Sequence, residues 1–146
     1  MMSWHDKLVP EDFAVPETFE HPRFRLRKLT IHDVDEDLDA IRERVLPDGT
    51  PEPWLDTTRD ENLVDLGWHQ KEFELRRSFT YTVVVPDESR VLGCVYLYPH
   101  EEADVEVLMW VRGDAWSEGL DPLLEQAVRG WIDEVWPFER VVFRDR

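Results

Sequence analysis

Residues 106–121 read Glu106-Val107-Leu108-Met109-Trp110-Val111-Arg112-Gly113-Asp114-Ala115-Trp116-Ser117-Glu118-Gly119-Leu120-Asp121, and Pro122 follows. The β-branched and apolar run over 105–111 predicts a strand. Asp121-Pro122 predicts a helix start, with a capping carboxylate ahead of proline at the first helical position. Leu124, Ala127, Val128, Trp131 and Val135 carry that helix as far as Pro137. A strand that passes through a glycine loop into a helix leaves free backbone N–H groups at the helix start, and these suit an anion.

Upstream, Phe79–Val85 and Val91–Tyr98 form a predicted hairpin across Pro86–Arg90, and a short acidic turn at Glu101 and Glu102 leads on to the strand at 105–111. Thr58-Arg59-Asp60-Glu61 matches a capping box and opens a helix to about Arg77, with Leu63, Leu66, Gln70, Phe73 and Arg77 on one face. Residues 46–57 hold Pro47, Gly49, Pro51 and Pro53 and must be a loop. Val34, Leu38, Ile41 and Val45 mark one face of a helix over Asp33–Val45. Phe24-Arg25-Leu26-Arg27 alternates as a half-buried strand does, and its two arginines suit a sheet edge.

Residues 1–22 are interrupted by Pro10, Pro16 and Pro22 and read as an extended arm. Its apolar residues Trp4, Leu8, Val9, Phe13, Val15 and Phe19 would pack against the domain surface. Downstream, Arg140–Phe143 is a last short strand. The order strand, helix, helix, three strands, helix, strand gives a single α+β domain over 23–146. It has a mostly antiparallel sheet of about five strands and three helices.

Seventeen Lys plus Arg against 33 Asp plus Glu leave a formal charge of −16 over 146 residues. That balance disfavours nucleic acid and anionic membranes, whose binding needs Lys and Arg, and permits small cations such as amines. Seven tryptophans and 42% hydrophobic residues exclude a disordered acidic tail. No apolar run reaches the length of a membrane span, no secretory signal pattern opens the chain, and Cys94 is the sole cysteine. A cytoplasmic protein is expected.

The element order and the quoted strand–loop–helix resemble the GNAT superfamily of N-acetyltransferases over residues 24–144. Phe24-Arg25-Leu26-Arg27-Lys28-Leu29 looks like its opening, and the two strands at 79–83 and 91–95 look like its middle hairpin. The resemblance implies acetyl-CoA as co-substrate, its pyrophosphate held by the loop and its pantetheine arm paired with the edge of the strand. It places Arg112, Ser117, Glu118, Gly119, Leu120 and Asp121 in that loop, with Trp110 and Val111 at the strand edge, where plain core packing is the alternative. Trp116 stands where the family has Gln or Arg, Gly119 matches the central glycine, and Asp121 replaces the closing small residue. As a cap facing the loop, Asp121 would compete for the donors. It would also repel phosphate by about 3 kcal/mol at ~5 Å and an effective dielectric of ~20, against about 0.3–1 kcal/mol returned by the helix dipole. Family members continue with a further helix, whose tyrosine often protonates the leaving thiolate. Nothing follows Arg146 here, so a shortened member, or a homodimer whose final strands complete each other's sheet, is expected.

Glu106 lies where the family often places a carboxylate near the acceptor amine, and as general base it would take the proton an amine must lose. Its alternative is an outward polar position on a strand. Trp54, in the proline-rich loop, would line the acceptor pocket or merely cap packing. His5, His21, His32, His69 and His100 occur singly, so no metal site is implied. Cys94 reads as a small core residue. Ser3, Ser78, Ser89 and Ser117 lie outside any nucleophile elbow. The carboxylates of Asp33–Asp39 read as a solvated helix start. Three functions stand: an acetyl-CoA-dependent N-acetyltransferase acting on a small amine or basic acceptor by direct transfer; a GNAT-fold binding or regulatory module that has lost CoA; and an interaction domain self-associating through exposed tryptophans.

Overall fold

A computed structural model describes residues 6–52 and 54–146, so Ser3, Trp4, His5 and Pro53 lie outside the described residues. The elements are β1 (Thr18–Glu20), β2 (Arg25–Lys28), a single 3-10 turn (Ile31–Asp33), α1 (Val34–Ile41), β3 (Arg44–Val45) and α2 (Arg59–Glu74). They continue with β4 (Phe79–Val84), β5 (Val91–Tyr98), β6 (Val105–Arg112), α3 (Gly113–Ser117), α4 (Leu120–Val135) and β7 (Val141–Phe143). One sheet runs β1-β2-β4-β5-β6-β3, antiparallel throughout, with β7 joined parallel to β6.

Alternation along β6 separates two cores. Val105, Val107, Met109 and Val111 face the larger one, where Leu124, Val128, Trp131 and Ile132 of α4 cover the sheet. Tyr81 meets Trp131 edge-on there, with centroids 5.1 Å apart. Trp110 and Cys94 face the other side, against Leu38 and Ile41 of α1. Thr58 caps α2 as its motif predicts, accepting from Glu61 N–H at 3.1 Å while Glu61 accepts from Thr58 N–H at 3.1 Å. At Gly93 the strands approach so closely that a Cβ would lie 2.1 Å from the Trp110 carbonyl oxygen.

Several expectations are corrected. The arm is not wholly irregular: Thr18–Glu20 pairs with β2, and Leu8 and Val9 are buried in the main core. β2 therefore lies inside the sheet, and its arginines are held by carboxylates: Arg25 by Glu20 and Glu88, Arg27 by Asp33 and Glu88. The first helix ends at Ile41, and Val45 belongs to β3, whose pairing with β6 outweighs the helical spacing. The described residues form seven strands and four α-helices rather than five and three. Asp33 and Asp37 are buried rather than solvated. Asp33 closes a capping box with Thr30 and pairs with Arg27 at 2.8 Å.

β7 covers one edge of β6 at Val105–Val107 and β3 covers it at Val111–Arg112, leaving 108–110 without a strand on that side. Backbone groups alternate between the two edges of a strand, so Met109 is the residue whose N–H and C=O face this gap. No helix of the described residues is long and apolar enough to cross a membrane.

Candidate functional site

Three neighbouring cavities with shared lining residues lie in a row along the gap at Met109. At one end lies a cavity of about 540 Å³ beside the start of α4, lined by Trp116, Ser117, Gly119 and Asp121 with Arg146. Pro47 and Asp145 join it to a narrow space of about 60 Å³ along Leu108, Met109 and Trp110. Arg44, Tyr96, Leu108 and Arg144 join that space to a cavity of about 280 Å³ between α1, α2 and β5. The row of cavities thus runs from a helix N-terminus, along an open strand edge, to a polar aromatic chamber.

At the helix end, Gly119 takes the left-handed conformation, φ 85°, and serves as N-cap of α4. A residue with a Cβ would be strained there. Asp121 is the second residue of α4 and does not cap it. Its buried carboxylate turns to Arg146, accepting from Nη1 at 2.7 Å and Nη2 at 2.9 Å. Arg146 Nη1 also reaches Glu125 at 3.0 Å, and Nη2 reaches the Met109 carbonyl at 3.4 Å. The expected competition by Asp121 is therefore absent, because its charge is spent on a guanidinium. Ser117 Oγ donates to Gly113 C=O at 3.1 Å, Leu120 is buried and Glu118 exposed. Arg23, which the sequence did not single out, donates to Glu118 C=O at 3.2 Å and sets a cation against the loop.

Arg112 does not face this loop. It is buried and held by Asp39 at 3.0 Å, by Glu43 and by the Val91 carbonyl at 3.1 Å, so it clamps β6 to α1 and β5. Val111 also leaves the proposed edge, since β5 and β3 pair with it on both sides. Trp110 lies beside the gap with its side chain in the second core, donating from Nε1 to the Tyr96 hydroxyl at 2.9 Å. The open edge is Met109, one residue before Trp110 and two before Val111.

The far chamber gathers Asp37, Asp65, His69, Tyr96, Tyr98 and Trp54. His69 is buried, hydrogen-bonded through Nδ1 to Thr80 Oγ1 at 2.9 Å and 3.4 Å from Asp65. Its ring stacks on Tyr98 with centroids 6.3 Å apart. Burial pushes the Tyr96 hydroxyl and the Cys94 thiol well above their usual ranges, so neither ionises near neutrality. Trp54 is 45% exposed at the rim, with the Arg44 guanidinium 4.9 Å from its ring. Glu106 is not in the chamber wall. It is held by Arg144, which does line the chamber, and stands 3.9 Å from His100. Among the described residues no cluster suited to a metal ion occurs.

Several solved structures that share this architecture are described as acetyltransferases. A protein assigned to the GNAT-family acetyltransferases of Bordetella pertussis superposes with a TM-score of 0.68 at 17% identity, covering 88% of this chain and 77% of that one. The fold is that of the GNAT acetyltransferases. A ribosomal-protein-S5-alanine acetyltransferase from Vibrio fischeri gives 0.66 at 12% identity, covering 88% and 76%. A GNAT-family acetyltransferase from Bacillus anthracis gives 0.56 at 13%, covering 86% and 72%. The sequence itself matches no protein-family model and no curated protein significantly.

The GNAT fold implies an acyl-CoA, and the residues present fit one in shape. Gly119 leaves the first amides of α4 without a side-chain cap, although Pro122 contributes no N–H. Met109 offers its N–H at the open edge, where an amide-bearing arm can pair, while its C=O is met by Arg146 Nη2 at 3.4 Å. The acidic surroundings weigh against tight binding, since Glu118, Glu125 and Asp145 flank the loop. The chamber was missed in the sequence apart from Trp54. Its signal was present: Asp37 occupies the i+3 position of the Val34, Leu38, Ile41 stripe, a carboxylate on an apolar face.

Proposed function

We propose that this protein is an acyltransferase that passes an acyl group from a CoA thioester directly to a small amine. The observation that carries the reading is the row of adjoining cavities from the uncapped start of α4, past the strand edge at Met109 that no strand covers, to the chamber of Asp37, His69 and Tyr96. An acyl-CoA bound along it would supply the activated acyl group. The chain's own part is placement. The amides of Leu120 and Asp121 with Arg23 hold phosphate, the Met109 N–H aligns the arm, and Trp54, Tyr96 and Tyr98 enclose the acceptor. Positioning of this kind accounts for a large share of acyl-transfer catalysis.

Glu106 is the proposed general base, taking the ammonium proton through water that passes Arg144. The alternative, a GNAT-fold module without CoA, draws on one observation: Arg146, which lines the cavity beside the α4 start, is already paired with Asp121 and Glu125. Two measurements decide between them, the shift in Tm on adding acetyl-CoA and the release of free thiol with a panel of amines. Stabilisation with thiol release supports transfer, and the absence of any shift at millimolar acetyl-CoA supports the module, because a ligand that binds only the folded state must stabilise it.

A further inference from the structure

Asp37 is only 3% exposed, on the stripe of α1 that faces the sheet. Its Oδ2 accepts one hydrogen bond from the neutral Asn62 side chain at 3.0 Å. No Lys or Arg lies within ion-pairing reach of it among the described residues, and the groups around it are Asp33, Asp65, Asn62 and His69. Burial and the two neighbouring carboxylates push its pKa up to about 6. A buried carboxylate is normally matched by a cation, since an unpaired charge taken out of water is costly. Here the carboxylate instead forms part of the wall of an open chamber.

The chamber is polarised. Asp37 and Asp65 stand with α1 and α2, while Arg44 and Arg144 stand at the end that meets the narrow space along Met109. Both arginines are already engaged, Arg44 with Glu52 at 3.3 Å and over Trp54, Arg144 with Glu106. The Trp54, Tyr96 and Tyr98 rings supply walls of the kind that attract cations and cover alkyl carbon. A volume of about 280 Å³ admits a small molecule only.

We propose that the inner end of this chamber binds an organic ammonium group, with Asp37 as its counter-charge, Asp65 as a second carboxylate and the aromatic rings around its alkyl chain. That the ligand is the acyl acceptor rests on the acyl-transfer reading; the binding itself does not.

The test is calorimetric titration with putrescine, and with butanediol as its uncharged analogue, at low salt and without any acyl donor. Putrescine binds saturably and butanediol does not. Asp37→Asn weakens putrescine binding by more than about tenfold while its unliganded Tm rises, and Asp133→Asn on the opposite face of the sheet leaves the affinity unchanged. Should Asp37→Asn fail to fold, Asp65→Asn, at a half-exposed position, and Trp54→Ala carry the same expectation of weaker binding. Equal behaviour of diamine and diol, or putrescine affinity untouched by the Asp37 and Asp65 variants, overturns the proposal. Putrescine binding without acyl transfer leaves it standing and removes the acyltransferase reading. Acyl transfer to amines that ignores both carboxylates does the reverse.

Discussion

Arg146 grips Asp121 with both terminal nitrogens, Nη1 at 2.7 Å from Oδ2 and Nη2 at 2.9 Å from Oδ1. Both side chains are almost wholly buried. The contact turns an acidic residue at the start of α4 away from the amides it was expected to cap, and it tethers the segment after β7 to α4 and to Met109. A buried pair of this kind contributes little relative to an apolar filling, but losing one partner is costly. Arg146→Ala is expected to destabilise the fold by about 3 kcal/mol, read as a fall in the urea midpoint with unchanged m.

Asp121→Asn leaves the Arg146 guanidinium with Glu125 as its one remaining carboxylate and so more open to other anions. Acetyl-CoA affinity is expected to rise by about fivefold, equivalent to about 1 kcal/mol, with the salt dependence of binding steeper than in the parent. Calorimetric titration at two salt concentrations reads both.

Asp37 makes stability depend on pH. Its pKa is raised to about 6 in the folded chain, against about 3.9 in an unfolded one. The folded state therefore binds the proton more tightly. Stability from this group is fully present below about pH 4, falls as pH rises to about 6 and stays low above that, a difference of about 3 kcal/mol at about 1.36 kcal/mol per pH unit. Asp37→Asn is expected to remove that slope and to be the more stable protein at neutral pH. Denaturant unfolding of both proteins across the window checks it.

Most of the architecture was legible because its signals are local. The Thr58 capping box, the alternation of β4 to β6 and the α4 stripe each depend on neighbours within a few residues. What escaped depends on partners far along the chain. Thr18–Glu20 becomes a strand through β2, and Val45 leaves its helical spacing because Val111 lies beside it. The site divides in the same way. The Gly119 loop is legible through its resemblance to the GNAT loop, whereas the direction of Asp121 depends on Arg146, 25 residues away. Asp37 carries a readable sign, a charge on an apolar stripe, but it sits in an acidic run that the helix dipole also accounts for.

Two glycines separate steric from conformational cost. Gly93→Ala drives a Cβ to 2.1 Å from the Trp110 backbone oxygen, which neither strand can relieve. It is expected to cost more than about 3 kcal/mol, comparable to severe overpacking. Gly119→Ala meets nothing within 4 Å and pays only for φ 85°, about 1 kcal/mol. Thermal unfolding of the two variants ranks them.

Glu106→Gln keeps the size of the side chain and removes its charge. On the acyl-transfer reading kcat falls by about a hundredfold with acetyl-CoA affinity unchanged, because Glu106 is remote from the α4 start. A pH–rate profile that loses its acidic limb in the variant marks the carboxylate as the proton acceptor. A fall in Tm with an unchanged profile marks it as only a support for Arg144.

The central claim is that the row of cavities from Gly119 past Met109 to Tyr96 receives an acyl-CoA. Calorimetric titration of the intact protein with acetyl-CoA at low salt tests it most directly. The account predicts one saturable site per chain, weakened severalfold by Arg23→Ala, which removes the cation beside the loop. A flat titration at millimolar acetyl-CoA, or binding indifferent to both Arg23→Ala and Asp121→Asn, would contradict it.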